Sequence, residues 1–295
     1  MGLPAYIGQM LFAESAYKPI KGDVGFIGRQ TTYLRPAELD HLAKVYRLTP
    51  PRNLPLEVDK STLAQNDYGG NYITDRYLMR YLGAKSFKSI DVSDYEGADI
   101  VFDICGTLPK KLYGSFDFIY DGSCLDNVFN PAQGLRNISR LLRPGGRALL
   151  LNHATWFNAP YGILSPGWYF DFFAANAYAD CQVFLVMFAD GQALHMGPVP
   201  LYLFNWAAGG LGNAPELPYG THMMTVVLVE KGKKSTDDVT PVQLHHRGSK
   251  FNKAAFNKNA ESILRSPRRH FSTPQDLFAA KATFVRLDVL GLPSS

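Results

Sequence analysis

Three aspartates and a histidine stand at the ends of β-type segments along one stretch of the chain. Asp91 closes "SFKSID", Asp103 closes "DIVFD", Asp121 closes "FDFIYD", and His153 follows "RALLLN". A carboxylate offers two acceptor oxygens, which suits Asp91 to the vicinal hydroxyls of a ribose. Asp103 suits an adenine amino group in the same way, and Ile104 beside it offers the ring an apolar face. Imidazole changes charge near neutral pH, so His153 is the first candidate for taking a proton from a nucleophile, with Asp126 and His195 as further candidates. Taken singly, the same residues are explained as turn formers, caps or a histidine bonded to a nearby loop.

These residues need strands to hold them. Strands are expected at 23–28, 86–91, 99–104, 116–121, 147–152, 182–189 and 222–232. Helices are expected from Pro36, over roughly 73–81, over 131–142, from Ser165-Pro166 and over 252–265. Alternation of the two predicts an α/β, doubly wound fold with a mostly parallel sheet of about seven strands. In such a sheet ligands bind beyond the carboxyl ends of the strands, where strand order reverses. Gly28, Arg29 and Gln30, which follow the first long strand, join the candidates on that ground. A polar stretch, "KGKKSTDDVT", suggests a boundary between a main domain, 1–235, and a C-terminal appendage, 236–295.

Composition narrows the classes. Charged residues are 19% and hydrophobic ones 46% of the chain, too apolar for wholesale disorder. The net charge of +4 is small; Lys250, Lys253, Lys258, Arg265, Arg268 and Arg269 concentrate it near the C-terminus, where it reads first as a solvated tail or helix face, with a protein partner or second subunit as the alternative, and it does not call for nucleic acid. Cys105, Cys124 and Cys181 are widely spaced within apolar segments and read as buried thiols in a reducing compartment, and no apolar run is long enough for an integral membrane segment, so a cytoplasmic protein is expected. No G-x-G-x-x-G follows the first long strand, which argues against a nicotinamide cofactor. "DGSCLD" misses the G-x-S-x-G of a hydrolase elbow, and His245-His246 lack the spacing and carboxylate companions of a zinc site, so no metal is expected.

From "SIDVSDYEGADIVFDI" through "FDFIYDGSCLDNVFNPAQGLRNISRLLRPGGRALLLN" the chain resembles the class I S-adenosylmethionine-dependent methyltransferases, over roughly residues 22–232. The resemblance implies a Rossmann-like fold and S-adenosylmethionine as cofactor. It implies that Asp91 binds ribose, that Asp103 and Ile104 meet adenine, and that Asp121, Gly122 and Ser123 lie near the methionine part. Pro144-Gly145-Gly146 would be a joint feeding a strand without touching the cofactor. One departure is conspicuous: the family's first loop carries an acid and several glycines, whereas "GFIGRQTTYL" has Gly28 alone in the expected place. Arg29, Gln30 and Thr31 then either reshape the loop and supply side-chain donors to the cofactor carboxylate, or leave a degenerate site.

The long gap before Asp91 implies an insertion, 49–71, with Tyr68-Gly69-Gly70-Asn71 as a turn lining the pocket; a second insertion is expected at 190–221. Trp156, Phe157 and Tyr161 follow a strand end and, with His195, are the expected acceptor contacts. The reading is an S-adenosylmethionine-dependent methyltransferase acting on oxygen of a small molecule or glycan, in natural product or glycan biosynthesis. Its alternative is a non-catalytic Rossmann-like binding or scaffold protein with a decayed cofactor loop.

Overall fold

The structure is a computed structural model and describes residues 2–60, 71–155, 160–188, 201–204, 222–243, 253–266 and 284–286. Its main strands are β2 (Gly22–Ile27), β4 (Ala84–Asp91), β5 (Ile100–Val101), β6 (Phe116–Gly122), β7 (Leu142–His153), β8 (Asp180–Phe188), β9 (Leu201–Phe204), β10 (His222–Glu230) and β11 (Phe284–Arg286). They form one sheet in the order β11-β9-β8-β10-β7-β6-β2-β4-β5. The seven expected strands make up β5 to β8 of that order, and two short strands, β9 and β11, extend one edge from segments that carried no strand signal. Strands β5, β4, β2, β6 and β7 run parallel, whereas β10 is antiparallel to both neighbours, β7 and β8. The expected strand at 99–104 is reduced to a two-residue ladder, Ile90 opposite Ile100 and Asp91 opposite Val101.

Long apolar runs explain the central strands. All nine residues of β8 are buried, as are the last eight of β7, which is the pattern of strands covered on both faces. At the amino end of β7 the register jumps from Phe116↔Leu142 to Phe118↔Arg147, so Arg143 to Gly146 bulge out opposite Asp117. Gly145 takes φ +82° there and donates to the carbonyl of Lys231 at 2.6 Å. The Pro-Gly-Gly turn therefore lies at the far end of β7 from His153.

Helices α2 (Pro36–Val45), α3 (Asp75–Tyr81), α4 (Pro131–Leu141) and α5 (Pro166–Ala175) start where cap chemistry allows. Thr74, Asn130 and Ser165 each accept a hydrogen bond from the main-chain N–H three residues on, and Pro36, Pro131 and Pro166 stand at first helical positions. The first helix, α1 (Ala5–Tyr17), has no sequence counterpart among the expectations: ten of its thirteen residues are buried, so it shows no polar stripe. Its Glu14 meets Arg147 of β7, both in the interior, and Arg147 also donates to the carbonyls of Lys18 and Pro19. Beside α1, β1 (Gly2–Leu3) pairs with β3 (Thr31–Thr32), which brings the N-terminal segment against the loop after β2.

Helix α6 (Lys253–Leu264) buries Phe256, Ala260, Ile263 and Leu264, a single helical face, and packs on α5 and β8. Asn259 donates to the carbonyl of Ala174 and Ser266 to Asp180.

Candidate active site

Strand order reverses between β2 and β6, so the crevice of this sheet opens beyond Ile27 and Gly122. Gly28 has φ +74°, a conformation glycine adopts without steric cost, and donates to the carbonyl of Ile90 at 2.7 Å. A Cβ at Gly28 would lie 3.5 Å from Gln30 Nε2 and 3.6 Å from Asp91 Oδ2. Across the crevice, a Cβ at Gly122 would stand 2.2 Å from Gln30 Oε1 and 2.8 Å from the Tyr120 ring. The Gln30 side chain thus bridges the space between the two glycines. Its amide nitrogen donates to the carbonyl of Ile27, while Oε1 is buried with no hydrogen-bond partner among the described residues.

Asp75, fully buried at the start of α3, organises this loop. It accepts from Arg29 Nε at 3.0 Å, Arg29 Nη2 at 2.9 Å and the Gln30 main-chain N–H at 3.0 Å. Arg29 therefore shapes the loop through a bidentate ion pair, with its guanidinium committed to Asp75. Of the residues expected to act as side-chain donors, Arg29 is committed to Asp75 and Gln30 Nε2 to the Ile27 carbonyl.

Asp91 ends β4 half-buried, with Oδ1 accepting from the Val92 N–H at 2.6 Å. Asp103 is exposed and its Oδ1 accepts from Cys105 N–H at 2.8 Å, an Asx-type turn. The Phe102 N–H donates to the Asp91 carbonyl, so the two acids sit on neighbouring chain segments. Ile104 faces the core, next to where a Cβ at Gly134 would lie.

After β6 the chain makes a compact polar knot. Ser123 has φ +68°, a left-handed conformation that costs a non-glycine residue energy. Its hydroxyl donates to Asp126, 2.8 Å from Oδ1 and 2.7 Å from Oδ2, and lies 3.1 Å from His153 Nδ1. His153 Nδ1 is 2.6 Å from Asp126 Oδ2, and the His153 main-chain N–H donates to the same oxygen at 2.7 Å. Asn127 Nδ2 donates to Asp126 Oδ1, and the Asp126 N–H donates to Asn152 Oδ1. Serine and aspartate meet the same ring nitrogen, so this is not the relay of a serine hydrolase, in which they engage opposite nitrogens.

Asn152 links the knot to Asp121, donating to its Oδ2 at 3.0 Å, while the Cys124 N–H donates to Oδ1 at 2.8 Å. Burial pushes the Asp121 carboxyl up to about 7; the bonds from Asn152 and Cys124 oppose that rise, and the nearby Asp126 adds to it. On β10, the His222 ring stacks on His153 at 5.5 Å and 6° between planes. Burial, with a smaller contribution from His153, lowers His222 to about 4.

The segment 160–165 is tied to this knot: Gly162 N–H donates to the Asp126 carbonyl and Leu164 N–H to that of His153. Tyr161 is largely exposed and meets Phe129, also exposed, edge to face at 6.3 Å. Trp156, Phe157, His195, Tyr68-Gly69-Gly70 and His245-His246 lie outside the described residues. Among those described, no group of three or more His, Cys, Asp or Glu is arranged to hold a metal ion. Asp75, Phe129, Asn152 and His222 were not singled out from the sequence; Asn152, adjacent to His153 at a strand end, carried the one signal that would have found it.

Residues 85–150, the stretch that includes Asp91, Asp103, Asp121 and Asp126, match the methyltransferase domain family. That stretch is thus a methyltransferase domain. S-adenosylmethionine is accordingly the cofactor of this methyltransferase domain, and the crevice suits it: the orphaned Gln30 Oε1 calls for a donor such as an ammonium group, and Asp91 stands beside Gly28 with a carboxylate for a diol. The domain is also similar to part of the non-reducing polyketide synthase ausA of Emericella nidulans, 32% identical over 101 residues, which are 33% of this chain and 4% of that protein. It is 29% identical over 93 residues, 30% of this chain, to the non-reducing polyketide synthase adrD of Penicillium rubens, again 4% of its length. This chain thus spans a small fraction of those relatives. Among solved structures, an O-methyltransferase from a trans-AT PKS multienzyme of Brevibacillus brevis, in complex with S-adenosyl-L-homocysteine, overlays with a TM-score of 0.39 and 10% identity, covering 88% of this chain and 78% of that one.

Proposed function

We propose that this methyltransferase domain methylates an oxygen of a small organic or glycan acceptor, with the His153–Asp126 pair removing the acceptor proton. The observation that carries the reading is the 2.6 Å contact between His153 Nδ1 and Asp126 Oδ2 in the knot that follows β6. A carboxylate on Nδ1 holds the ring proton there and leaves Nε2 as the basic atom. It also stabilises the imidazolium that forms when a proton arrives. Amine acceptors can attack through a free lone pair, whereas a hydroxyl gains nucleophilicity from such a base, and a positioned base contributes about a hundred- to ten-thousand-fold.

When bound, S-adenosylmethionine supplies an electrophilic sulfonium methyl. In this account Asp91 holds the ribose, Gln30 Oε1 accepts from the methionyl ammonium, Gly28 permits close approach, Gly122 leaves room for Gln30, and Asp103 orients the adenine. Asp121 and Ser123 shape the floor by fixing Asn152 and Asp126. Tyr161 and Phe129 form an aromatic rim for the acceptor, joined to the base through the main-chain bonds of Gly162 and Leu164. The further acceptor contacts expected from the sequence, Trp156, Phe157 and His195, belong to the same proposal.

Carbon methylation is a second reading, favoured by the similarity to segments of two polyketide synthases. An acidic carbon flanked by carbonyls needs the same proton removal, so one base serves either acceptor. Incubation with methyl-labelled S-adenosylmethionine and three acceptor classes, phenols or sugars, β-ketoacyl thioesters and primary amines, tests the choice. Label in an ether supports the oxygen reading and label on carbon the second. Label transferred to amines alone, or unchanged transfer by His153→Ala, contradicts both. No cofactor binding at all would favour the scaffold alternative, with partners engaged through the C-terminal region.

A further inference from the structure

We infer that His222 is a positioning residue for the base: a stacking partner that holds the His153 ring in the plane from which Nδ1 meets Asp126. The inference rests on the reading of His153 as the base. Two imidazoles lie face to face at 5.5 Å with 6° between their planes, on adjacent strands of a sheet. The antiparallel register makes this possible. Met224 is opposite His153 in the β10–β7 ladder, so His222 begins β10 at the level where β7 ends.

The surroundings of His222 are built to fix a ring. Phe188, its cross-strand partner on β8, tilts against it at 5.5 Å. Tyr6 of α1 in turn packs on Phe188 at 5.5 Å and donates its hydroxyl to Met224 Sδ. Between β7 and β10, Met223 N–H donates to Thr155 Oγ1 at 2.8 Å and Ala154 N–H to the Met223 carbonyl at 3.0 Å, locking the two histidine backbones together. The His153 ring is therefore held along its Nδ1 edge by Asp126 and Ser123, and on one face by His222.

Among the described residues, the titratable groups around His222 are His153, with Asp126 behind it, on the β7 side and Tyr6 on α1; β8 presents Phe188. His153 has a carboxylate beside it, and the rings of His153 and Phe188 lie against His222. Burial lowers His222 to about 4. A neutral aromatic face next to an imidazolium is also attractive in its own right.

Histidine-labelled NMR titration of the full chain without cofactor reads both rings directly, for wild type, His222→Phe and His222→Ala. In wild type, His222 is expected to stay neutral to about pH 4 while His153 keeps its proton on Nδ1. His222→Phe, which retains a ring in the stack, should preserve the His153 tautomer. His222→Ala, with unchanged far-ultraviolet circular dichroism, should give a mixed His153 tautomer and, where an acceptor is known, lower kcat by at least roughly tenfold with little change in KM. Titration of His222 near neutral pH, or an unaltered His153 tautomer and titration in folded His222→Ala, would overturn the inference. Since neither spectrum requires turnover, a failure of the methyl-transfer reading leaves this result standing on its own.

Discussion

His153 reaches Asp126 twice, through Nδ1 at 2.6 Å and through its main-chain N–H at 2.7 Å, both to the same carboxylate oxygen. The aspartate thereby sets the position of the strand end as well as the orientation of the ring. Asp126→Asn keeps the size of the side chain but lets an amide nitrogen replace an acceptor. The expected outcome is a loss in kcat of about a hundred- to ten-thousand-fold, with S-adenosylhomocysteine affinity within a few-fold of wild type. Single-turnover kinetics and calorimetry on the same preparation measure the two effects.

The buried Asp121 makes stability depend on pH. Its carboxyl is raised from 3.8 to about 7, so the folded state holds a proton that the unfolded chain releases at lower pH. The contribution is fully present below about pH 4 and is lost as pH rises through about 7, at roughly 1.4 kcal/mol per unit across that window. Wild type should therefore lose stability from pH 5 to pH 8 relative to Asp121→Asn, which has no proton to release. Parallel denaturant titrations of the two proteins at several pH values read this difference.

Gly122→Ala places a methyl where Gln30 Oε1 and the Tyr120 ring already stand. The Gln30 side chain is the more yielding of the two. Overpacking of this kind costs about 1–3 kcal/mol, and displacement of Gln30 should also weaken S-adenosylhomocysteine binding. Adding Gln30→Ala to Gly122→Ala should restore part of the stability but none of the affinity. Chemical denaturation and calorimetry of the single and double variants separate these outcomes.

The α1–β7 connection depends on an interior ion pair, Glu14 with Arg147, whose side chains are 0% and 4% exposed. Glu14→Gln leaves the guanidinium short of its counter-charge and should cost about 3–5 kcal/mol, with little dependence on salt because the pair is shielded from solvent. Adding Arg147→Met should recover part of that loss. Thermal unfolding at low and high ionic strength checks both expectations.

The seven main strands and the helices over α2 to α6 were legible because apolar runs, cap residues and prolines mark them locally. Asp91, Asp121 and His153 were legible as strand ends for the same reason. Helix α1 was not, since a helix buried nearly all round has no amphipathic signature. The role of Asp75 depends on a contact with Arg29 across 46 positions, which no local pattern encodes. His222 was hidden by strand direction: in a parallel strand its place at the amino end would put it at the opposite edge of the sheet, and only the reversal of β10 brings it beside His153. Arg29 was recognised as unusual for a cofactor loop, but its bidentate partner turns it from a candidate ligand into a brace for Gln30.

Titration of the purified chain with S-adenosylhomocysteine by calorimetry, with NADH as control and Asp91→Ala alongside, tests the central claim most directly. The account predicts saturable one-to-one binding of S-adenosylhomocysteine, no binding of NADH, and affinity about ten- to a hundredfold weaker in folded Asp91→Ala, the scale of losing hydrogen bonds to a charged group. Absence of S-adenosylhomocysteine binding, or an Asp91→Ala protein that binds it as tightly as wild type, would contradict the account.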